Sequence, residues 1–161
     1  MAWRRIFWCA AATALVSVTG YLGARAADAD GAAKAEKGVH EAMAISLQKY
    51  DQVEVQEYPW GWIRWLMNDQ LDPAAEMTFG LVYIKPHQTN PLHIHSNSAE
   101  YLHVIEGSCE HRVGDRWVTV KVGDTLRIPA GVKHNARTKD EPCRAVIVYD
   151  TGKRRMEVVP E

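Results

Sequence analysis

Three histidines and one glutamate in this sequence have the types and the spacing of a metal centre. His93 and His95 stand two apart, so on an extended strand both imidazoles point to one face. Glu100 follows a spacer of four residues, at the start of the next apolar run. His134 arrives from a separate segment, after the turn Pro129-Ala130-Gly131 redirects the chain. Three neutral imidazoles and one carboxylate suit one divalent ion, Mn, Fe, Ni, Cu or Zn, and an octahedral ion so held keeps positions open for water, dioxygen or substrate. Without a shared ion the same four groups on one inward face would lack partners, which is costly in an apolar interior. The remaining histidines, His40, His87, His103 and His111, have a cheaper reading as surface or satisfied half-buried residues.

The elements that must position these groups are strands. After Asp51 the chain runs in short β-like segments, VEVQEY, WGWIRWLM, MTFGLVYI, LHIH, EYLHVIEG, CEHRV, WVTVKV, TLRIP, HNART and CRAVIVYD. Gly, Pro, Asn or Asp punctuates them, as at Asn68-Asp69, Lys85-Pro86, Gly107, Gly114-Asp115 and Gly123-Asp124. Strands at this density predict an all-β sandwich or barrel, and no internal repeat suggests a second copy.

The run HIHSNSAEYLHVIEG, His93 to Gly107, resembles the first motif of the cupin family: His-x-His, a spacer of four, Glu, six residues, Gly. The run GDTLRIPAGVKH, Gly123 to His134, resembles the second: Gly, five residues, Pro-x-Gly, two residues, His. The resemblance extends over about residues 53 to 150 and implies a small single-domain, jelly-roll-like β-barrel with one metal on His93, His95, Glu100 and His134. This sequence departs from the pattern twice: His87 stands where the first motif usually has Gly, and Thr138 where the second usually has Asn. Neither position is a metal ligand in that pattern.

Counting by twos places Leu102 and Val104, and Ala136 and Thr138, on the metal-facing side, with Leu126 and Ile128 joining them. Such a wall is mainly apolar, as in most small-molecule pockets. Polar specificity then falls to other strands, with Arg64, Asn68, Tyr83, Lys85, His87 and Asn90 as candidates, and no general base announces itself beyond the candidates Tyr83, His87 and Glu106. Trp60, Trp62 and Trp65 read first as core and edge packing, and second as the lining of a sugar or aromatic site. Together with the outward Tyr101 and His103 they suggest a face covered by a second subunit, hence a homodimer.

The N-terminal segment differs from the rest. Arg4-Arg5, an apolar run to about Leu22 and Ala24-Arg25-Ala26 read as a signal peptide over 1–26. The pair Arg4-Arg5 before Ile6-Phe7 resembles a twin-arginine signal, and the alternative is an uncleaved anchor with a short, weakly apolar span. Export to the periplasm or the extracellular space follows, without stable membrane insertion after cleavage. Residues 27–38 read as a flexible linker, 39–50 as a short amphipathic helix, and 51–161 as the barrel.

Over 161 residues, 19 basic side chains nearly balance 20 acidic ones with no like-charge run, which speaks against nucleic acid as a partner. Cys109 and Cys143 survive cleavage into an oxidising compartment, and the sequence leaves a disulfide and two buried free thiols both open. The expected function is that of a metal-dependent enzyme acting on a small oxygen-rich molecule. The alternative is a non-catalytic exported module that binds a sugar, a carboxylate or a hormone-like ligand at the metal.

Overall fold

The computed structural model describes residues 45–160 together with Gly31. The expected signal over 1–26, the linker over 27–38 save Gly31, and residues 39–44 of the expected helix lie outside the described residues. The rest of that helix differs from expectation: residues 45–49 have no regular structure, and a 3₁₀ turn, Tyr50–Gln52, follows them. Leu47, on the expected apolar stripe, is 75% exposed. An amphipathic stripe with no surface to cover gains nothing from helix formation, and so short a helix is marginal by itself.

Ten strands follow: β1 Val55–Tyr58, β2 Gly61–Met67, β3 Thr78–Ile84, β4 His93–Ile94, β5 Glu100–Val113, β6 Arg116–Lys121, β7 Thr125–Ile128, β8 His134–Arg137, β9 Cys143–Tyr149 and β10 Glu157–Val158. Every pairing between them is antiparallel. Hydrogen-bonded neighbours run β1-β2-β3-β9-β5-β8-β4-β10, with β6 and β7 also on β5. The long β5 makes this a barrel. Its first half lies between β7 and β9 and its second half between β6 and β8, so one strand belongs to both sheets and folds one over the other.

The pairing of β5 with β9 shifts between Val104 and Glu106, and Gly107 adopts φ 67° just beyond. A bulge of this kind changes which parity faces inward. Glu100, Leu102 and Val104 are buried before it, whereas Cys109 and His111 are buried after it. Glycine is needed at 107 twice over, since a Cβ there would lie 1.8 Å from the Pro142 carbonyl oxygen as well as in the left-handed region. In β9 the alternation is strict: Cys143, Ala145, Ile147 and Tyr149 are buried and their neighbours are only half so. With Val82, Ile84, Leu102, Val104 and Ala136 they form one core. Removing the side chain of Ile147 down to Ala would cost roughly 2–5 kcal/mol.

The two departures from the family pattern meet at one turn. His87 has φ 56°, a conformation glycine adopts at no steric cost. The Thr138 hydroxyl donates to the Lys85 carbonyl and accepts from the Gln88 amide at 3.2 Å, so it holds that same turn from β8. Cys109 and Cys143 are both buried and free. A hydrogen bond to Cys143, together with burial, holds the Cys109 thiol well above its usual range.

Candidate metal centre

Strand pairing assembles the site. His93 on β4 sits directly opposite His134 on β8, and β10 covers the other edge of β4, with Val158 opposite His93. His95 leaves β4 immediately afterwards, its carbonyl accepting from the Gly131 amide at 2.8 Å, so the Pro129-Ala130-Gly131 turn holds both strand ends. The spacer to Glu100 is fastened to the segment after β9. Asp150 accepts from the Ala99 amide at 2.9 Å, and Asn97 bonds to Lys153 and Arg155. One ligand atom from each of His93, His95, Glu100 and His134 lies within 4.8 Å of all the others. Glu100 Oε2 stands 3.2 Å from His95 Nε2 and 3.1 Å from His134 Nε2.

Each imidazole is oriented by a backbone carbonyl. Nδ1 of His93 donates to Pro91 at 2.7 Å, that of His95 to Arg155 at 2.7 Å, and that of His134 to Val132 at 2.9 Å. With Nδ1 protonated and tied back, Nε2 becomes the ligating nitrogen. His95 Nε2 is buried without a hydrogen-bond partner, an orphaned polar atom that a metal ion would satisfy. The donor set therefore fits one divalent cation, and its N₃O composition suits Mn, Fe, Ni, Cu or Zn.

The electrostatics of the four groups point the same way. Burial opposes charge on Glu100, yet the hydrogen bond with His134 and the close approach of His95 outweigh it and hold the carboxyl well below its usual range. Burial likewise opposes protonation of His134, and the bond to Glu100 raises it instead. His93 has no such bond to the carboxylate, and burial lowers it to about 4. One anion is thus shared between histidines in the place where a cation would sit.

Above the four ligands lies a cavity with about 80 Å³ open to the centres of water molecules, room for several waters or a small organic molecule. Its walls come from β2, β3 and β9, through Ile63, Trp65, Val82, Ile84 and Ile147, with Leu102 and Ala136 beside the ligands. Two of the six expected wall residues line the cavity. Leu102 and Ala136 face the cavity, but Val104, Leu126, Ile128 and Thr138 do not, because β7 flanks β5 on the side away from β9 and the Thr138 hydroxyl is engaged by the 85–88 turn. Trp60 and Trp65 pack on the core and also line the cavity, so the bland reading of these two is incomplete. Gly80 makes room for the Trp65 ring, which a Cβ would meet at 2.8 Å.

The catalytic candidates lie elsewhere. Tyr83 faces outward and stacks on Trp62 at 5.6 Å, because the alternation of β3 turns Val82 and Ile84 inward instead. His87 is in the turn after β3, exposed and 3.6 Å from Asp140. Glu106 is an exposed neighbour of Arg144 at 3.9 Å. Of the polar candidates only Asn90 lines the cavity, and its side chain already accepts from the Ala136 amide at 2.7 Å.

Sequence reasoning missed His111, Tyr149 and Arg154, all of which line the cavity. His111 is buried, its ring stacked near that of His134 at 6.1 Å, and burial lowers its pKa to about 4. The signal was Gly107 inside a strand pattern, which marks a bulge and reverses the count by twos. Tyr149 packs edge-on against His95 at 4.7 Å and keeps its proton, because burial and the Glu100 carboxylate raise its hydroxyl well above the usual range.

Residues 80–149 match the family model described as a cupin domain. No curated protein matches the chain. Among solved structures, an oxalate decarboxylase from Lactobacillus farciminis in complex with formate is similar with a TM-score of 0.63 and 21% identity, over 68% of this chain and 34% of that one. An oxalate decarboxylase from Bacillus subtilis at pH 4.6 is similar with a TM-score of 0.65 and 20% identity, over 72% of this chain and 33% of that one. The chain thus spans about a third of the length of these enzymes, and at such identity the likeness is one of fold. Residues 80–149 thus match a cupin domain, and the shared barrel and the four converging candidate ligands in their motif positions agree with that match.

Proposed function

We propose that this chain is an exported cupin enzyme, working as a homodimer, that holds one divalent metal on His93, His95, Glu100 and His134 and takes a small oxygen-rich molecule as its substrate. The observation that carries the reading is the orphaned, carbonyl-oriented His95 Nε2 beside three further ligands under a mainly apolar cavity. A divalent ion held by these four residues would supply Lewis acidity there, which suits a substrate with neighbouring oxygens such as a diol, an α-hydroxy acid or a sugar acid. The protein's own groups orient that chelate and keep water away. Leu102, Ala136 and Ile147 wall the ligand side, while Tyr149 and His111 remain neutral near neutral pH and can hydrogen-bond without adding charge. The solved neighbours are oxalate decarboxylases, which supports a small oxygen-rich acid as the kind of substrate.

One observation favours a second reading, a module that binds its ligand without turnover: among the described residues Glu100 is the only carboxylate that lines the cavity, so no second carboxylate stands ready as general base. Incubating metal-loaded protein with diols, keto acids and α-hydroxy acids, while following product and oxygen consumption, separates the two. Turnover that is lost in His134→Ala supports the enzyme. Tight binding without product supports the module. Binding that survives metal removal unchanged overturns both.

A further inference from the structure

We infer that Arg154 makes the cavity select a ligand bearing a carboxylate beyond the oxygens that chelate the metal. The inference rests on the chelation reading above and narrows its substrate class to small diacids, such as α-hydroxy or α-keto diacids.

Arg154 lines the cavity, with its guanidinium 4.5 Å from the ring centre of Trp65 and 5.1 Å from that of Tyr149. These aromatic faces fix where the cation stands but accept none of its N–H donors in a directed bond. Its closest polar approach is 3.4 Å, to His95 Nδ1. That nitrogen donates its own hydrogen to the Arg155 carbonyl at 2.7 Å, so it has no lone pair to offer the guanidinium. Among the described residues Arg154 takes part in no ion pair. Asp69 lines a polar recess that Arg154 also borders, without pairing with it.

The backbone around the cation is clamped. Asn97 donates to the Lys153 carbonyl at 2.8 Å and accepts from the Arg155 amide at 2.9 Å, so one side chain grips both neighbours of Arg154. Thr78 adds bonds to the Thr151 carbonyl at 2.9 Å and to that of Gly152 at 3.2 Å. The arginine is therefore held in place before any ligand arrives, across the His95 ring from the converging ligand atoms. A guanidinium so placed lacks an anion, and its planar fork matches a carboxylate in a two-bond pair. A diacid meets both demands. One carboxylate and the adjacent hydroxyl or keto oxygen go to the metal, and the second carboxylate goes to Arg154.

The test uses the full chain loaded with Co, titrated with malate and with the malate monoamide whose carboxamide replaces the carboxylate remote from the chelating end, followed by Co absorption and calorimetry. Wild type should bind malate at least about tenfold more tightly than the amide, as a charge-assisted bidentate pair implies. Arg154→Gln should erase the preference by lowering malate to the level of the amide, and Arg154→Lys should retain part of it. Metal content and melting temperature of each variant reveal a lost fold, and the wild-type comparison stands even then. Equal binding of both ligands by wild type, or a preference that survives in Arg154→Gln, overturns the inference while a perturbed Co spectrum still upholds chelation. A malate preference equally strong in metal-free protein upholds Arg154 and overturns chelation. Binding of neither ligand overturns both.

Discussion

The rings of His111 and His134 lie stacked 6.1 Å apart with 22° between their planes, although one is set by the second half of β5 and the other by β8. His111 is held neutral by burial, at a pKa of about 4 against 6.5 for a free imidazole. Its contribution to stability is therefore complete above pH 6.5 and is lost as pH falls from 6.5 towards 4, because the unfolded chain takes up a proton that the folded one refuses. The full loss is on the order of 3 kcal/mol. His93, also lowered to about 4, adds a slope of the same sign, whereas His134, raised by Glu100, contributes stability that is lost as pH rises through its folded value. Urea unfolding of metal-free protein between pH 7 and pH 4 should show a shallower acid decline in His111→Leu than in wild type. Parallel curves would mean that His111 reaches solvent.

Loss of one ligand should empty the centre. His95→Ala and His134→Ala each remove one of four donors, and elemental analysis should find far less than one equivalent of metal per chain where wild type retains about one. Glu100→Gln keeps the shape but removes the one anionic donor, so weaker binding and an altered metal preference are expected rather than complete loss. Undiminished metal in both histidine variants sinks the assignment.

Gly107→Ala tests the bulge that turns His111 inward. The added Cβ would collide with the Pro142 carbonyl and sit at φ 67°, and backbone cannot yield as a flexible side chain does. Destabilisation of at least about 2 kcal/mol is expected from the strain alone. Gly114→Ala, also at positive φ but in open space, should cost less by the absence of the clash. Equal midpoints in a denaturant titration of the two variants would count against a tight approach at 107.

The thiols of Cys109 and Cys143 are near enough to share a hydrogen bond inside the barrel. Burial keeps large reagents away, so in native protein both should react with a bulky disulfide reagent far more slowly than after denaturation. If a small oxidant such as diamide joins them, two hydrogens leave the thiols, the diamide is reduced to its hydrazine, and the intact mass falls by about 2 Da. A bridge that closes the chain from 109 to 143 should then raise stability by roughly 2–4 kcal/mol where its geometry is unstrained. Rapid labelling of both thiols in the native state would contradict their burial.

The all-β class, the barrel and the convergence of the four candidate ligands were legible in the sequence because each rests on a short-range rule. His93 and His95 share a face by strand alternation, the Pro-x-Gly turn sets the approach of His134, and inward polar groups must find a common partner. Which side chains close the cavity was decided only by tertiary structure. Counting by twos fails across the bulge at Val104 to Gly107, so the sequence leaves His111 a spectator, and no local pattern tells that β9 rather than β7 walls the site. Tyr83 and His87 are candidates in a sequence that carries no sign of their direction, and the pairing of β3 turns one outward and leaves the other in a turn. Arg154 lies far from the histidines in sequence, and the hydrogen bonds of Asn97 and His95 to its neighbours bring its segment against them. Alternation is a property of one strand, whereas the closure of a cavity is a property of the register among several, and register is fixed only once long-range contacts form.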